Sequence, residues 1–171
     1  MKMATTAAAG LGAEERTFAE RQRVGHLATA DAAGMPHIVP ICYAVVGDNF
    51  YFVVDEKPKR SRRGLKRLRN IAANAQVALV IDEYDEDWSR LAFLLVQGQA
   101  ALVTDPSEYA AGLEALRRRY PQYRGMALQF ERHPLVRIAP HRRHLWRAAT
   151  RRNNGDALLS LPKGSRLRSS P

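Results

Sequence analysis

Short runs of apolar residues, separated by turn-forming residues, follow one another along most of the chain. Loose alternation predicts strands over 24–30 and 35–45, and an aromatic, β-branched run predicts a third over 50–55. The segments DAAG and VGDN between them are typical of turns, which indicates two successive hairpins. Because proline lacks the N–H that a sheet ladder needs, Pro36 and Pro40 indicate that the second strand lies at a sheet edge or has one face of its backbone free.

The second half of the chain adds further apolar runs. They predict strands over 75–82, over 91–96 with its continuation through 98–105, over 135–140 and over 144–149. The run 91–96 contains no polar residue, which is typical of a strand buried on both faces. In a single small barrel the outer face of that strand would need a cover, and a second copy of the chain is the simplest candidate. A bulge is predicted at Gly98, just after this run.

Three helices are predicted between the strands, over 13–23, 60–73 and 105–120. In the second of them Leu65, Leu68 and Ile71 fall on one face, and basic residues fill the rest of the surface. The strands come in hairpins and do not alternate with helices. This order favours a mainly β protein, an antiparallel barrel with helices at its ends or flank.

The length of 171 residues suits one folded domain. We predict that the domain covers residues 13–149. Residues 1–12 are predicted to form a disordered lead, because their Ala-rich run has no leucine-rich stretch typical of a signal peptide. Residues 150–171 are basic and rich in Asn, Gly, Ser and Pro, so they are predicted to be a disordered tail.

The chain is strongly basic, with 27 Lys and Arg against 17 Asp and Glu and a net charge of +10. A field of that sign attracts anions, which include nucleic acids, acidic lipids and phosphorylated or carboxylated small molecules. The single cysteine, Cys42, excludes an intrachain disulfide and fits a reducing compartment. No apolar run approaches the length of a membrane-spanning helix, and a cytoplasmic location is expected.

The positive charge is concentrated after the third strand, where eight of the thirteen residues 57–69 are Lys or Arg. One interpretation is a solvated helix face, which is the usual role of a charge run. A second is a phosphate site, because a helix N-terminus favours anions and Lys57, Lys59 and Arg60 lie at that end. A third is a nucleic-acid surface, although no recognised DNA-reading motif accompanies it.

Other polar groups give weaker indications of chemistry. The segment 82–87 has five carboxylates in six residues but lacks the spacing of a calcium loop, so a solvated turn is the default interpretation. The five histidines are scattered and predict no metal site. Cys42 lies in a strand without a neighbouring base and is interpreted as a buried structural thiol. No catalytic residue can be assigned, so an enzyme of this sequence would depend on a cofactor for its chemistry.

Several segments together resemble one family. They are VGHLATADAAGMPHIVPICYAVVGDNFYFVVDEKPKR, the helix LKRLRNIAAN, the strand VALVIDEYDEDWSRL and the late HLWRA. Their order and spacing over about residues 24–149 resemble the flavin-binding split β-barrel, or pyridoxamine 5'-phosphate oxidase-like, superfamily. The chain is most similar to the branch of short proteins that use the deazaflavin coenzyme F420. The resemblance implies an antiparallel split barrel that forms a homodimer, with cofactor sites at the interface.

The resemblance also implies a set of site residues. Basic residues after the third strand hold the cofactor phosphate in such proteins, and here these are Lys57, Lys59, Arg60 and Arg62. Backbone of two strands lines the ring, here along Val39, Pro40, Ile41, Val53 and Val54. Trp88 and Trp146 are candidates to cover the ring from the neighbouring subunit. The surplus of cations would suit the polyglutamate tail of F420.

The activity that the resemblance implies is hydride transfer between F420 and a small organic substrate. An FMN-dependent oxidoreductase of the same fold is the alternative. A protein that binds the cofactor without catalysis, and a nucleic-acid binder that uses the basic helix, are two further hypotheses. The resemblance ends at HLWRA, before the Arg-x-His substrate motif of the longer pyridoxamine-phosphate oxidases, so oxidation of vitamin B6 is not expected.

Overall fold

The computed structural model describes residues 6–7, 10–55 and 65–148 of the chain. Its strands are β1 Thr6–Ala7, β2 Gly25–Ala30, β3 Pro36–Ile41, β4 Ala44–Val46, β5 Asn49–Val53, β6 Gln76–Glu83, β7 Ala92–Leu102 and β8 Leu135–Arg147. Its helices are α1 Ala13–Arg21, α2 Lys66–Ala73 and α3 Pro106–Arg119, with 3₁₀ turns at Trp88–Arg90 and Pro121–Gly125.

The strands form one antiparallel sheet in the order β3-β2-β6-β7-β8-β5-β4, with β1 paired to β8. β3 and β4 lie at opposite ends of this order, yet only Cys42 and Tyr43 separate them in the chain. Three peptide steps reach about 11 Å, so the sheet must curl until its two edges meet. The result is a barrel with an open seam between β3 and β4. This confirms the predicted antiparallel split barrel and the edge position of the strand that carries Pro36 and Pro40.

Two hydrophobic cores hold the barrel and its helices together. The first fills the barrel, where Phe18 of α1 and Ile71 of α2 join inward-facing strand residues such as Leu79 and Leu94. The second lies outside the barrel, between α3 and the strands β4, β5 and β8. Gly112 of α3 permits close contact there, since a Cβ at this position would lie 2.7 Å from Leu135 Cδ2.

Two predicted strand boundaries were wrong. The single strand predicted over 35–45 is divided into β3 and β4, because the backbone of Tyr43 turns away from the ladder and bonds to the Tyr120 hydroxyl. The two strands predicted over 135–140 and 144–149 form one continuous strand, β8.

The predicted bulge at Gly98 is confirmed. The pairing of β7 with β8 shifts between Gln97, which faces Arg142, and Gly98, which faces Pro140. His141 is therefore the extra residue of β8. A Cβ on residue 98 would lie only 2.4 Å from the carbonyl oxygen of Ala139, so only glycine fits this close approach of two backbones.

Gly98→Ala is expected to lower the free energy of unfolding by about 2–3 kcal/mol, because a methyl group would have to displace a carbonyl in a packed ladder. Thermal or urea unfolding of the purified variant would measure this loss. Gly125→Ala is a matched control, since a Cβ added at Gly125 would have no neighbouring atom within 4 Å. That substitution should change stability by less than about 0.5 kcal/mol, and equal losses at both positions would contradict the assignment.

The described part of the predicted disordered lead is packed against the barrel. Thr6–Ala7 pair with β8. Leu11 is buried, and its N–H donates to Asp48 Oδ1 at 2.8 Å. This contact orders the chain before α1 and differs from the prediction. The rest of residues 1–9 and the predicted tail from Thr150 lie outside the described residues.

The basic helix is shorter than predicted. Leu65 has extended backbone angles, φ −79° and ψ 133°, and caps a helix that begins at Lys66. The prediction of a helix over 60–73 was therefore wrong at its start, because the apolar spacing that defines the face begins only at Leu65. Residues 56–64 lie outside the described residues.

The strand β7 was predicted to be buried on both faces. Its inward residues Ala92, Leu94 and Val96 are buried, whereas Phe93 and Leu95 on the outward face are half-buried. Phe93 stacks on Trp146 of β8, with ring centroids 5.3 Å apart. The outer face of the sheet is thus apolar but incompletely covered in the single chain.

Candidate functional site

A cleft of two adjoining pockets opens where β3 ends, beside Cys42 and the end of β5. The inner pocket, of about 160 Å³, is lined by Val24, Pro40, Ile41, Cys42, Phe52, Val53, Asp55, Arg67 and Tyr123. The outer pocket, of about 550 Å³, is lined by Arg23, Val24, Cys42, Asp55, Arg119, Tyr120, Pro121, Gln122, Tyr123 and Met126. The two share four residues and so form one continuous cleft, with room for a ligand that extends from one pocket into the other.

Three elements build the inner pocket. The edge strand β3 contributes Pro40 and Ile41, β5 contributes Phe52 and Val53, and α2 contributes Arg67. Since β3 pairs with β2 on one side only, half of its backbone N–H and C=O groups point away from the ladder. Among the described residues, the pocket therefore combines an apolar wall, a strand edge without a ladder partner and the cation of Arg67.

Arg67 is the second residue of α2 and lies where the helix N-terminus meets the pocket. Intrahelical hydrogen bonds begin at Leu68, whose N–H donates to the Leu65 carbonyl, so the first N–H groups of the helix lack helical acceptors. Nε of Arg67 is buried and has no hydrogen-bond partner among the described residues. Burial lowers the pKa of this guanidinium, and the nearby Asp55 carboxylate opposes that effect. An arginine stays charged in this situation, and the arrangement suits an anion.

A buried polar chain seats α2 on the sheet. Asn70 is 2% exposed and donates from Nδ2 to Thr29 Oγ1 at 3.0 Å. The Thr29 hydroxyl in turn donates to the carbonyl oxygen of His37 at 3.3 Å. Lys66 lies 4.0 Å from Asp31 at the end of β2. The position of α2 relative to β2 and β3 is thereby fixed by polar as well as apolar contacts.

The hydroxyl of Tyr120 fixes the connection between β3 and β4 beside the outer pocket. Its hydroxyl lies 3.1 Å from the N–H of Tyr43, 2.8 Å from the Tyr43 carbonyl and 2.8 Å from the Arg23 carbonyl. Arg119 Nε donates to the same hydroxyl at 3.1 Å, and its terminal nitrogens donate to carbonyls of Ala19 and Gln22 at the end of α1. A side chain from the end of α3 thus ties the connection between β3 and β4, at Tyr43, to the segment that precedes β2, at Arg23.

Tyr123 and Cys42 lie in the wall that the two pockets share. The pKa of the Tyr123 phenol is raised, first by burial and then by Cys42 and Asp55. Like any tyrosine, the phenol is neutral at physiological pH, and a side-chain hydrogen bond with Cys42 is one cause of its raised pKa.

The structure brings together only part of the predicted site. Pro40, Ile41 and Val53 line the inner pocket. Val39 is half-buried against the barrel core, and Val54 is buried within it. The predicted phosphate ligands Lys57, Lys59, Arg60 and Arg62 lie outside the described residues.

The two tryptophans lie away from this cleft in the same chain. Trp88 is 71% exposed in the 3₁₀ turn between β6 and β7. Trp146 lies on the outer face of β8, stacked on Phe93. Their role in covering a ring from a neighbouring subunit stays a prediction.

Arg67, Asp55, Cys42 and Tyr123 are cleft residues that the sequence did not indicate as site residues. Arg67 was assigned to the solvated face of a helix that was predicted to start at residue 60. With the start at Lys66, the same residue falls in the first turn. The apolar spacing at 65, 68 and 71 was the signal that could have placed this start.

Two negative findings apply to the described residues alone. They contain no group of three or more His, Cys, Asp or Glu side chains placed to hold a metal ion. None of their helices has the length and apolar character needed to cross a bilayer.

An antiparallel barrel with an open seam and a cleft along it defines the class of split-barrel proteins. The model of the pyridoxamine 5'-phosphate oxidase family matches residues 11–153, and the chain belongs to this family. No curated protein matches the chain.

Solved structures share the fold at low sequence identity. A conserved hypothetical protein from Mycobacterium tuberculosis is 22% identical with a TM-score of 0.65, over 96% of this chain and 99% of that one. The heme storage protein HutZ from Vibrio cholerae is 19% identical with a TM-score of 0.62, over 81% and 95%. A FAD-binding protein from Mesorhizobium loti is 20% identical with a TM-score of 0.57, over 85% and 99%. The Vibrio protein is described as storing heme and the Mesorhizobium protein as binding FAD, so the fold alone does not identify a cofactor.

Proposed function

We propose that the chain is an oxidoreductase that binds F420, or FMN as the alternative, along the cleft, with the cofactor phosphate at Arg67 in the inner pocket. The observation that carries this proposal is Arg67, a cation at the start of α2 whose buried Nε has no partner among the described residues. A phosphate is the anion that a helix N-terminus and a guanidinium bind together most readily.

The rest of the inner pocket suits the ring of such a cofactor. Ile41, Phe52 and Val53 offer apolar surface, and the free edge of β3 offers backbone donors and acceptors. A ring held between a strand edge and a fixed anion site has one orientation. When bound, the cofactor would supply hydride transfer, and the chain would supply binding, orientation and exclusion of water.

F420 is preferred over FMN for two reasons. The segments from VGHLATA to HLWRA resemble the F420-using branch, and eight basic residues in 57–69 exceed what one phosphate requires. Lys57, Lys59, Arg60 and Arg62 are proposed to contact the phosphate or the polyglutamate tail. The outer pocket adjoins the inner one and would receive the small organic substrate.

Titration of the purified chain with F420, FMN and hemin tests the proposal directly. We expect F420 to bind most tightly, and the reduced cofactor to be oxidised in the presence of a panel of enones and quinones. Binding without turnover would favour a non-catalytic cofactor carrier. Tight binding of hemin alone, or salt-sensitive binding of DNA without affinity for any cofactor, would overturn the proposal.

A second copy of the chain is proposed to cover the outer face of the sheet. A row of residues crosses this face from His26 through Val80 and Leu95 to His144, and Phe93 lies beside it. Ile38, on the edge strand of the same face, is 64% exposed. The apolar side chains of this row are only half-buried in the single chain, and contiguous apolar surface that stays exposed marks an interaction site.

We therefore expect light scattering to report a dimer at micromolar concentration. Leu95→Glu, which places a charge in the middle of the face, should convert the dimer to a monomer that remains folded. Leu102→Glu, on the same strand beyond the bulge, is the control and should leave the mass unchanged. A monomeric parent protein would exclude the shared site and the roles proposed for Trp88 and Trp146.

A further inference from the structure

Asn70 is the one polar residue that α2 buries among its described contacts. The helix otherwise meets the barrel through Leu68 and Ile71. Asn70 is 2% exposed and Thr29 is 3% exposed, so both polar groups are removed from water. Groups buried in this way must be paired, and Asn70 Nδ2 and Thr29 Oγ1 pair with each other at 3.0 Å.

The Thr29 hydroxyl has a second partner besides Asn70, because it also donates to the carbonyl oxygen of His37. The two hydrogen bonds together run from the middle of α2, through β2, to the edge strand β3. Apolar contacts such as those of Leu68 and Ile71 tolerate small shifts of a helix along a sheet. Hydrogen bonds are directional, so the 3.0 Å bond from Asn70 to Thr29 holds the helix at one distance from β2, and the β2–β3 ladder carries that distance to the edge strand.

The two ends of this series of hydrogen bonds lie near the two sides of the inner pocket. Asn70 lies one turn after Arg67, which offers the cation and the helix N-terminus. His37 lies three residues before Pro40 on the strand whose edge lines the pocket. The separation between the anion-binding end and the strand edge is therefore set by the Asn70–Thr29 bond, together with the ladder that pairs Thr29 with His37.

We propose that Asn70 and Thr29 are positioning residues that fit the inner pocket to the length of a phosphorylated cofactor, holding the anion-binding start of α2 at a fixed distance from the edge of β3. This inference rests on the proposed cofactor site. Neither residue touches the cofactor, and both act through Arg67 and the β3 backbone.

The test compares a cofactor with its phosphate-free form, FMN with riboflavin or F420 with the phosphate-free deazaflavin, by fluorescence titration. Thr29→Val keeps the shape of the side chain and removes the hydroxyl. We expect it to lower the affinity ratio of phosphorylated to phosphate-free ligand about tenfold, with the affinity for the phosphate-free ligand changing by less than about threefold. Thr29→Ser restores a hydroxyl and should restore the ratio.

Ile81→Val is the control for stability, because Ile81 is fully buried in the barrel core and lies outside the lining of both pockets. It should lower the melting temperature and leave the ratio unchanged. If Thr29→Val does not fold, Thr29→Ala removes the same hydroxyl with less bulk. A ratio that Thr29→Val leaves unchanged overturns this inference alone. Failure of the unaltered protein to bind either ligand overturns the proposed function, and the inference with it.

Discussion

Tyr120→Phe is expected to lower the free energy of unfolding by about 2–4 kcal/mol. The phenol can donate one hydrogen bond and accept two, and it is surrounded by the N–H of Tyr43, the Nε–H of Arg119 and two carbonyls. Phenylalanine would leave the buried Tyr43 N–H and at least one carbonyl unsatisfied, at a cost of about 1–3 kcal/mol each. For a chain of this size the melting temperature should fall by about 5–15 °C.

Tyr84→Phe supplies the matched control for this prediction. Tyr84 is 68% exposed, and its hydroxyl donates to Glu86 at 3.3 Å on the surface. Water replaces that bond, so the substitution should change stability by less than about 0.5 kcal/mol. Differential scanning calorimetry of both variants decides the question. A loss below about 1 kcal/mol in Tyr120→Phe would mean that packing alone holds the connection between β3 and β4.

Arg67→Ala is expected to weaken binding of the phosphorylated cofactor about 10–100-fold. A hydrogen bond to a charged group contributes about 1.5–3 kcal/mol, and each 1.4 kcal/mol corresponds to about tenfold in affinity. Stability should not fall with affinity, because the substitution removes a partly buried charge whose Nε has no partner among the described residues. Isothermal titration with F420 and FMN, with a melting curve for each variant, measures both effects.

Arg69→Ala tests whether position or charge alone matters. Arg69 belongs to the same helix but is exposed and lies outside the lining of both pockets. Its removal should change affinity by less than about threefold, through screened long-range charge only. Equal losses at the two positions would indicate a diffuse positive field, and a nucleic-acid surface would then become the better interpretation of the basic stretch.

The barrel could be predicted from the sequence because its signals are local. Apolar runs marked most strands, turn residues marked the hairpins, and the prolines of β3 indicated an edge. The break at Cys42 and Tyr43 could not be predicted, since it depends on a hydroxyl 77 residues further along the chain. The continuity of β8 was missed for a related reason. Its bulge at His141 is defined only by pairing with Gly98 of β7.

The candidate site was less accessible to sequence reasoning. The strands that line the inner pocket were identified, because prolines indicate an edge strand and apolar runs indicate buried strands in the sequence itself. Arg67 was missed because nothing in its neighbouring residues distinguishes it from the other seven cations of 57–69. Its role depends on where the helix begins and which side chains bury it. The cations of 57–62 stay predictions, as they lie outside the described residues.

The edges of β3 and β4 share no ladder, so no strand register between them has to be preserved. In a continuous ladder, widening the gap between two strands would break every hydrogen bond along it and misalign the side chains on both faces. Here the position of the connection between β3 and β4 depends on how α3 docks and where Tyr120 falls at its end, because the Tyr120 hydroxyl bonds the backbone of Tyr43. Changes in the length or packing of α3 can therefore move this connection, and with it the cleft wall at Cys42, while the ladders of the sheet stay intact. Sequence variation in α3 is thus the simplest route by which this barrel could come to accept ligands of another size.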